Sequence, residues 1–140
     1  MTTVPIHLNG KPVSEIRRVA CISTSRADAG IYSPLMRALI DGGYETSCLA
    51  GGTHLDPGFG GTIDQLEAID GLHVVRISHS TGDGTPAGVA VAAGEAMAAF
   101  GRAMDGERPE LVFALGDRFE MLAAVLSASV ARVPIAHLHG

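Results

Sequence analysis

The sequence predicts a doubly wound α/β domain built on a five-stranded parallel sheet. Three features point to it. Five short apolar runs rich in β-branched residues recur along the chain: VACI, SCLA, VVRI, LVFAL and VPIA. Segments with helical spacing of apolar residues separate them. Each run is followed at once by glycine or polar residues, in turn Ser23-Thr24-Ser25-Arg26, Gly51-Gly52-Thr53-His54, His79-Ser80, Gly116-Asp117-Arg118 and His137-Leu138-His139-Gly140. Strands alternating with helices form a parallel sheet, and open sheets of this kind bind ligands outside the carboxyl ends of their strands. Arg26, His54, Asp117 and His139 are therefore expected along one cleft.

Residues 1–16 stand apart as an N-terminal extension. VPIHL, Asn9-Gly10 and KPV read either as a small hairpin, since Asn-Gly suits a two-residue type I′ turn, or as a disordered leader. From residue 17 the alternation is regular. A first strand over 18–24 leads into a helix reaching about Ile40, in which Pro34 is expected no deeper than the first turn and Gly42-Gly43 mark the end. A second strand spans about Glu45 to Ala50. Beyond the glycine-rich HLDPGFGG, Thr62 and Gln65 have capping-box spacing for a short helix to about Ile69. The third strand is His73 to Ile77. The loop STGDGT then precedes Pro86, a suitable first helical residue, and Val89, Ala93, Met97, Phe100 and Met104 recur on one helical face. The fourth strand, Leu111 to Leu115, is followed by a helix presenting Leu122, Val125 and Leu126. Pro134 to Leu138 form the fifth strand. The last βα unit is left unfinished, and the chain is expected to be part of a longer protein.

Composition narrows the function. At 140 residues and 46% hydrophobic, the chain can bury one sizeable core, and with no Trp, two Tyr and four Phe that core is aliphatic. A net charge of −5 with ten scattered Lys and Arg argues against a nucleic-acid partner. No run reaches the ~20 apolar residues of a membrane span, and the N-terminus lacks a signal-peptide apolar region, so neither a membrane association nor secretion is expected. Cys21 and Cys48 fall within buried strands and read as reduced thiols of a cytoplasmic protein. Neither G-x-x-x-x-G-K-[ST] nor G-x-G-x-x-G follows the first strand, which argues against a P-loop ATPase or an ordinary dinucleotide dehydrogenase. The cysteines lack zinc spacing, and no metal site is expected.

Several residues suit chemistry at the strand ends. Arg26 lies where the first strand enters its helix, and a helix N-terminus beside a guanidinium matches phosphate oxygens; the alternative is that Asp28 caps the helix and Arg26 is a solvated loop residue. His54 is either a ligand contact or a turn-stabilising histidine, whereas His73 and His79 read as strand-boundary residues. Asp117, ending a buried strand in a crevice, suits an acid or base, against the alternative of an N-cap paired with Arg118 or Arg132. His137 and His139 share one side of the last strand, and His139 lies nearer the cleft.

Taken together and in order, STSRADAGIYSPLMRAL, GGTHLDPGFGGTIDQLE and GDRFEMLAAVLSASVARVPIAHLHG resemble the hydrolysing UDP-N-acetylglucosamine 2-epimerases over residues 17–140. The resemblance implies a Rossmann-like N-terminal half of a two-domain GT-B architecture, with much of the nucleotide-binding surface in the second half. It implies elimination of UDP from UDP-N-acetylglucosamine through 2-acetamidoglucal, followed by water addition to give N-acetylmannosamine, as in sialic-acid-type biosynthesis. No redox cofactor is implied. Asp117 matches the family's acid or base. Arg26 matches its phosphate contact, Arg118 and His54 join it as substrate-binding candidates, and His139 stands where some relatives carry a catalytic glutamate. The partner implied is a nucleotide sugar, with a homo-oligomer expected at full length. The competing readings are a GT-B glycosyltransferase and a non-catalytic nucleotide-sugar-binding module.

Overall fold

The computed structural model describes residues 5–139. Val4 of the expected hairpin and Gly140 lie outside the described residues. The N-terminal extension forms an antiparallel pair, β1 (His7–Leu8) and β2 (Lys11–Pro12). Asn9 and Gly10 between them both take positive φ, 50° and 79°, as a type I′ turn requires.

The remaining chain alternates strand and helix: β3 (Arg18–Ser23), α1 (Arg26–Asp41), β4 (Glu45–Ala50), α2 (Ile63–Glu67), β5 (His73–Arg76), α3 (Pro86–Glu107), β6 (Leu111–Leu115), α4 (Phe119–Val130) and β7 (Ile135–Leu138). The five long-range strands pair in parallel in the order β5-β4-β3-β6-β7, so the first strand of the sheet is central, as in a doubly wound topology. Side chains alternate between its faces. Ala20 and Ile22 of β3 pack with Phe100 and Met104 of α3 and with Met121, Ala124 and Ala128 of α4. Cys21 and Cys48, directly opposite one another on β3 and β4, pack on the other face with Tyr32 and Met36 of α1 and Leu66 of α2. Burial on both faces is why these strands read as continuous apolar runs rather than alternating ones. It also leaves both cysteines as free, unreactive thiols, with desolvation pushing Cys21 up to about 12. No described helix is long and apolar enough to cross a membrane.

Three local expectations are corrected by packing. Pro34 lies in the middle of α1 rather than in its first turn. It forfeits a hydrogen bond to the preceding turn, but it is on the exposed side, and the fully buried Tyr32 and Met36 hold the helix to the sheet across the break. Thr62 stands at the N-cap position of α2 but makes no capping bond: it has helical backbone angles, and its hydroxyl is engaged by a buried histidine. On α4, Leu122 and Leu126 face outward, 59% and 45% exposed, and small residues Ala124 and Ala128 face the sheet instead. Close approach of α4 to α3 and the sheet admits alanine there, whereas leucine would force the helix away.

The extension is tied to the N-terminal edge of the sheet by one carboxylate. Glu110 accepts hydrogen bonds from the backbone N–H groups of Arg17 (2.8 Å) and Arg18 (3.0 Å) and pairs with Lys11. These donors, the Lys11 ammonium foremost, lower its pKa from 4.5 to about 2. Its stabilising contribution is therefore complete above the ordinary glutamate range and is lost as pH falls toward 2. The expected result is that Glu110→Gln melts below wild type at pH 7 and that the two melting curves converge between pH 5 and 2. A gap in melting temperature independent of pH over that range refutes this assignment.

Candidate active site

The sheet grows leftward from β3 through β4 and β5 and rightward through β6 and β7. A crevice therefore opens between the carboxyl ends of β3 and β6, at the topological switch point. On the β3 side the chain turns into α1 through a capping box, with Ser25 as N-cap and Asp28 as its reciprocal partner. The buried Asp28 carboxylate accepts from the Thr24 N–H (2.8 Å), the Ser25 N–H (2.9 Å) and the Thr24 hydroxyl (2.9 Å), which fixes the entry to α1. Arg26, the first residue of α1, is exposed beside the free N–H groups of that sixteen-residue helix. Helix capping and an available arginine thus coexist, since the cap is built by Ser25 and Asp28 without Arg26.

The loop after β4 is held against the end of β3. The Gly51 N–H donates to the Ser23 carbonyl (2.9 Å) and the Thr53 N–H to the Thr24 carbonyl (3.0 Å). Gly52, at φ +58°, presses its α-carbon so near the Thr24 carbonyl that an added Cβ would lie 2.5 Å from that oxygen. His54 is fully buried beneath this loop. Its Nε2 lies 2.8 Å from the Ser23 hydroxyl and its Nδ1 2.6 Å from that of Thr62, so both ring nitrogens are occupied, one by the end of β3 and the other by the far end of the loop. Burial lowers its pKa, against a smaller opposing pull from the Asp28 charge. His79, read from the sequence as a boundary residue, does more: its Nε2 accepts the Gly52 N–H (3.2 Å) while Nδ1 donates to the Ser80 carbonyl (2.7 Å). No spacing signal shows that Ser23, Thr62 and His79 share this loop, because their meeting depends on how two loops fold over one strand end.

On the β6 side, Gly116 turns the chain at φ +79° and its carbonyl accepts from His137 Nε2 at 2.9 Å. Asp117 is exposed and its carboxylate has no hydrogen bond or ion pair to any described residue. It is not a helix cap, for the N-cap of α4 is Arg118, which provides no side-chain capping bond. The Arg118 guanidinium is gripped by Glu120, through Nε (3.2 Å) and Nη2 (3.0 Å). His139 is exposed at the end of β7 with φ +52°, a left-handed conformation that non-glycine residues adopt at a cost. Beside Asp117 and His137, a groove of about 520 Å³ runs between α4 and β7, lined by Met121, Leu122, Val125 and Ile135. Arg26, Asp117, Arg118 and His139 thus occupy the carboxyl edge, and His54 lies underneath it. Among the described residues no cluster of His, Cys, Asp or Glu could hold a metal ion.

Comparisons with known proteins agree with this arrangement. The family model described as UDP-N-acetylglucosamine 2-epimerase matches residues 39–140. The UDP-N,N′-diacetylbacillosamine 2-epimerase (hydrolyzing) of Legionella pneumophila is 31% identical over 130 residues, covering 89% of this chain and 33% of that protein. The polysialic acid biosynthesis protein P7 of Escherichia coli is 26% identical over 128 residues, covering 89% of this chain and 32% of that protein. Among solved structures, UDP-GlcNAc 2-epimerase from Neisseria meningitidis bound to UDP-GlcNAc superposes with a TM-score of 0.68 at 17% identity, over 87% of this chain and 31% of that one. The chain spans about a third of the length of the relatives it matches. Its sheet is the Rossmann-like fold found in the GT-B 2-epimerases. With the family model covering most of the chain and the switch-point crevice carrying the acidic and basic groups, the chain belongs to the UDP-N-acetylglucosamine 2-epimerase family.

Proposed function

We propose that residues 17–140 form the N-terminal domain of a hydrolysing 2-epimerase. It would act on UDP-N-acetylglucosamine or a related UDP-linked acetamido sugar, releasing UDP and the C2-epimerised free sugar. In this reading a base removes the proton at C2 while the C1–O bond to UDP breaks. Water then adds across the resulting 2-acetamidoglucal, its oxygen to C1 and a proton to the opposite face of C2, giving N-acetylmannosamine from UDP-N-acetylglucosamine. The observation that carries the proposal is the Asp117 carboxylate, exposed and unpartnered at the switch point, where proton transfer to a bound sugar has no competing hydrogen bond. Asp117 is assigned the acid or base role, with His139 as the second titratable group at the edge. Arg26 and the α1 N-terminus, with Arg118, are assigned to the diphosphate. His54 serves the site through the loop it anchors rather than by touching substrate. The names of the Legionella and Escherichia relatives support the hydrolysing chemistry and a role in sialic-acid-type sugar synthesis.

A reaction held between two domains needs both, since positioning the diphosphate and excluding water supply much of the rate. The expected result is that purified residues 1–140 release no measurable UDP from UDP-N-acetylglucosamine or its diacetamido analogue. The same residues joined to a second GT-B domain should release UDP together with the C2-epimerised sugar. Robust turnover by residues 1–140 alone refutes the domain assignment. UDP release by the two-domain protein with transfer of the sugar to an acceptor, and no free epimer, refutes the reaction.

A further inference from the structure

Glu120 is a carboxylate only 1% exposed, at the second position of α4, and its hydrogen-bond partner among the described residues is Arg118, which is 48% exposed. Burying a charge is costly unless it is paired, and a buried ion pair contributes little net stability compared with packed apolar residues of similar volume. The pair therefore calls for a reason other than stability. Its geometry suggests one. Glu120 takes Nε and Nη2 of the guanidinium, the side-on edge, and leaves Nη1 without a bond to any described residue. The hydrogen bonds to Glu120 raise the guanidinium pKa, and the charge of Asp28 adds a smaller push in the same direction. A long, flexible side chain that would otherwise lose rotamer entropy on binding is thus already ordered, and with 48% of it exposed its second donor edge, Nη1 with the outer Nη2 hydrogen, makes no bond to a described residue.

We infer that Glu120 is a positioning residue: it fixes Arg118 so that the unpaired edge of its guanidinium receives a phosphate oxygen of the diphosphate. This rests on the reading of the carboxyl edge as a nucleotide-sugar site. Glu120 itself touches no substrate. The adjacent backbone agrees with such a rigid mount, because the His137 bond to the Gly116 carbonyl ties the turn carrying Arg118 to the end of β7.

The test uses ¹⁵N-labelled residues 1–140 titrated with UDP and, separately, with inorganic pyrophosphate, following the Arg118 Nε–H resonance. Wild type is expected to show a sharp, exchange-protected Arg118 Nε–H that shifts on addition of either anion. Glu120→Gln, which keeps the shape and removes the charge, should broaden that signal and weaken both affinities about tenfold. The double variant Arg118→Met with Glu120→Met should fold with a melting temperature at or above wild type and bind the anions as weakly as Glu120→Gln. Pyrophosphate affinity within twofold of wild type in Glu120→Gln, or an Arg118 Nε–H that stays protected without Glu120, overturns the inference while leaving the proposed reaction untouched. Wild type that binds neither anion, or unfolding of both variants, also overturns it. Binding of pyrophosphate without any preference for UDP supports the positioning role and counts against the nucleotide.

Discussion

Asp117→Asn in a two-domain enzyme is expected to lower turnover by about 10²- to 10⁴-fold, the usual contribution of a positioned general acid or base. The substitution keeps the shape and hydrogen-bonding size of the side chain and removes its ability to exchange a proton. Substrate binding should change much less, because the proposed phosphate contacts are Arg26 and Arg118 rather than the carboxylate. Stability should not change either. Asp117 is exposed, pairs with no described residue and does not cap α4, so asparagine inherits no structural task. The measurement is steady-state formation of the free epimerised sugar alongside thermal unfolding. Near-normal turnover with a normal melting temperature removes Asp117 from the reaction. A lowered melting temperature would contradict the absence of structural bonds seen at this side chain.

Gly52→Ala is expected to lower the melting temperature of residues 1–140 by about 10 °C and to disturb the carboxyl edge of the sheet. Two costs combine. A non-glycine residue at φ +58° is strained by about 1–2 kcal/mol. In addition, the new Cβ would stand 2.5 Å from the Thr24 carbonyl oxygen, which is backbone at the end of the central strand and has little room to yield. Overpacking of this kind typically costs about 1–3 kcal/mol more. The whole domain is held by only about 5–15 kcal/mol, so the sum is a substantial fraction. Gly60→Ala separates the two effects. Gly60 has φ +89° but open space around its α-carbon, so alanine there carries the strain without the collision. Equal melting temperatures for the two variants would show that the close approach of the loop to Thr24 is not what demands glycine at position 52.

Much of the architecture was legible in sequence because it rests on local regularities. The runs VACI, SCLA and LVFAL are buried on both faces and so read as uninterrupted apolar strands, and the glycine and polar residues after them mark where each strand leaves the sheet. Pro86 opens α3 as its fixed φ suggests, with the Thr85 hydroxyl accepting the Gly88 N–H. The resemblance carried by GDRFE and its companion segments pointed to the family that the family model also matches. Where local rules misled, a tertiary partner outcompeted them. The Thr62 hydroxyl went to His54 instead of to α2. The apolar face expected at Leu122 and Leu126 turned outward because alanines fit the tight contact with the sheet.

The sequence alone therefore determined the order of strands and helices, the parallel direction of the sheet and the collection of chemical side chains at one edge. Each of these follows from the period of apolar residues and the chain reversal that parallel pairing imposes. Tertiary structure decided which of those side chains can reach a substrate. Residues 54 and 117 both follow apolar runs, yet His54 is sealed between the hydroxyls of Ser23 and Thr62 while Asp117 stands exposed and unpaired. Burial and hydrogen-bond partnership arise from segments distant in sequence, Ser23 being 31 residues from His54 and Thr62 eight, so no local pattern encodes them. The same holds for the fixed Arg118: its spacing from Glu120 is visible in GDRFE, but the burial that makes the carboxylate a mount comes only from the packing of α4 onto the sheet.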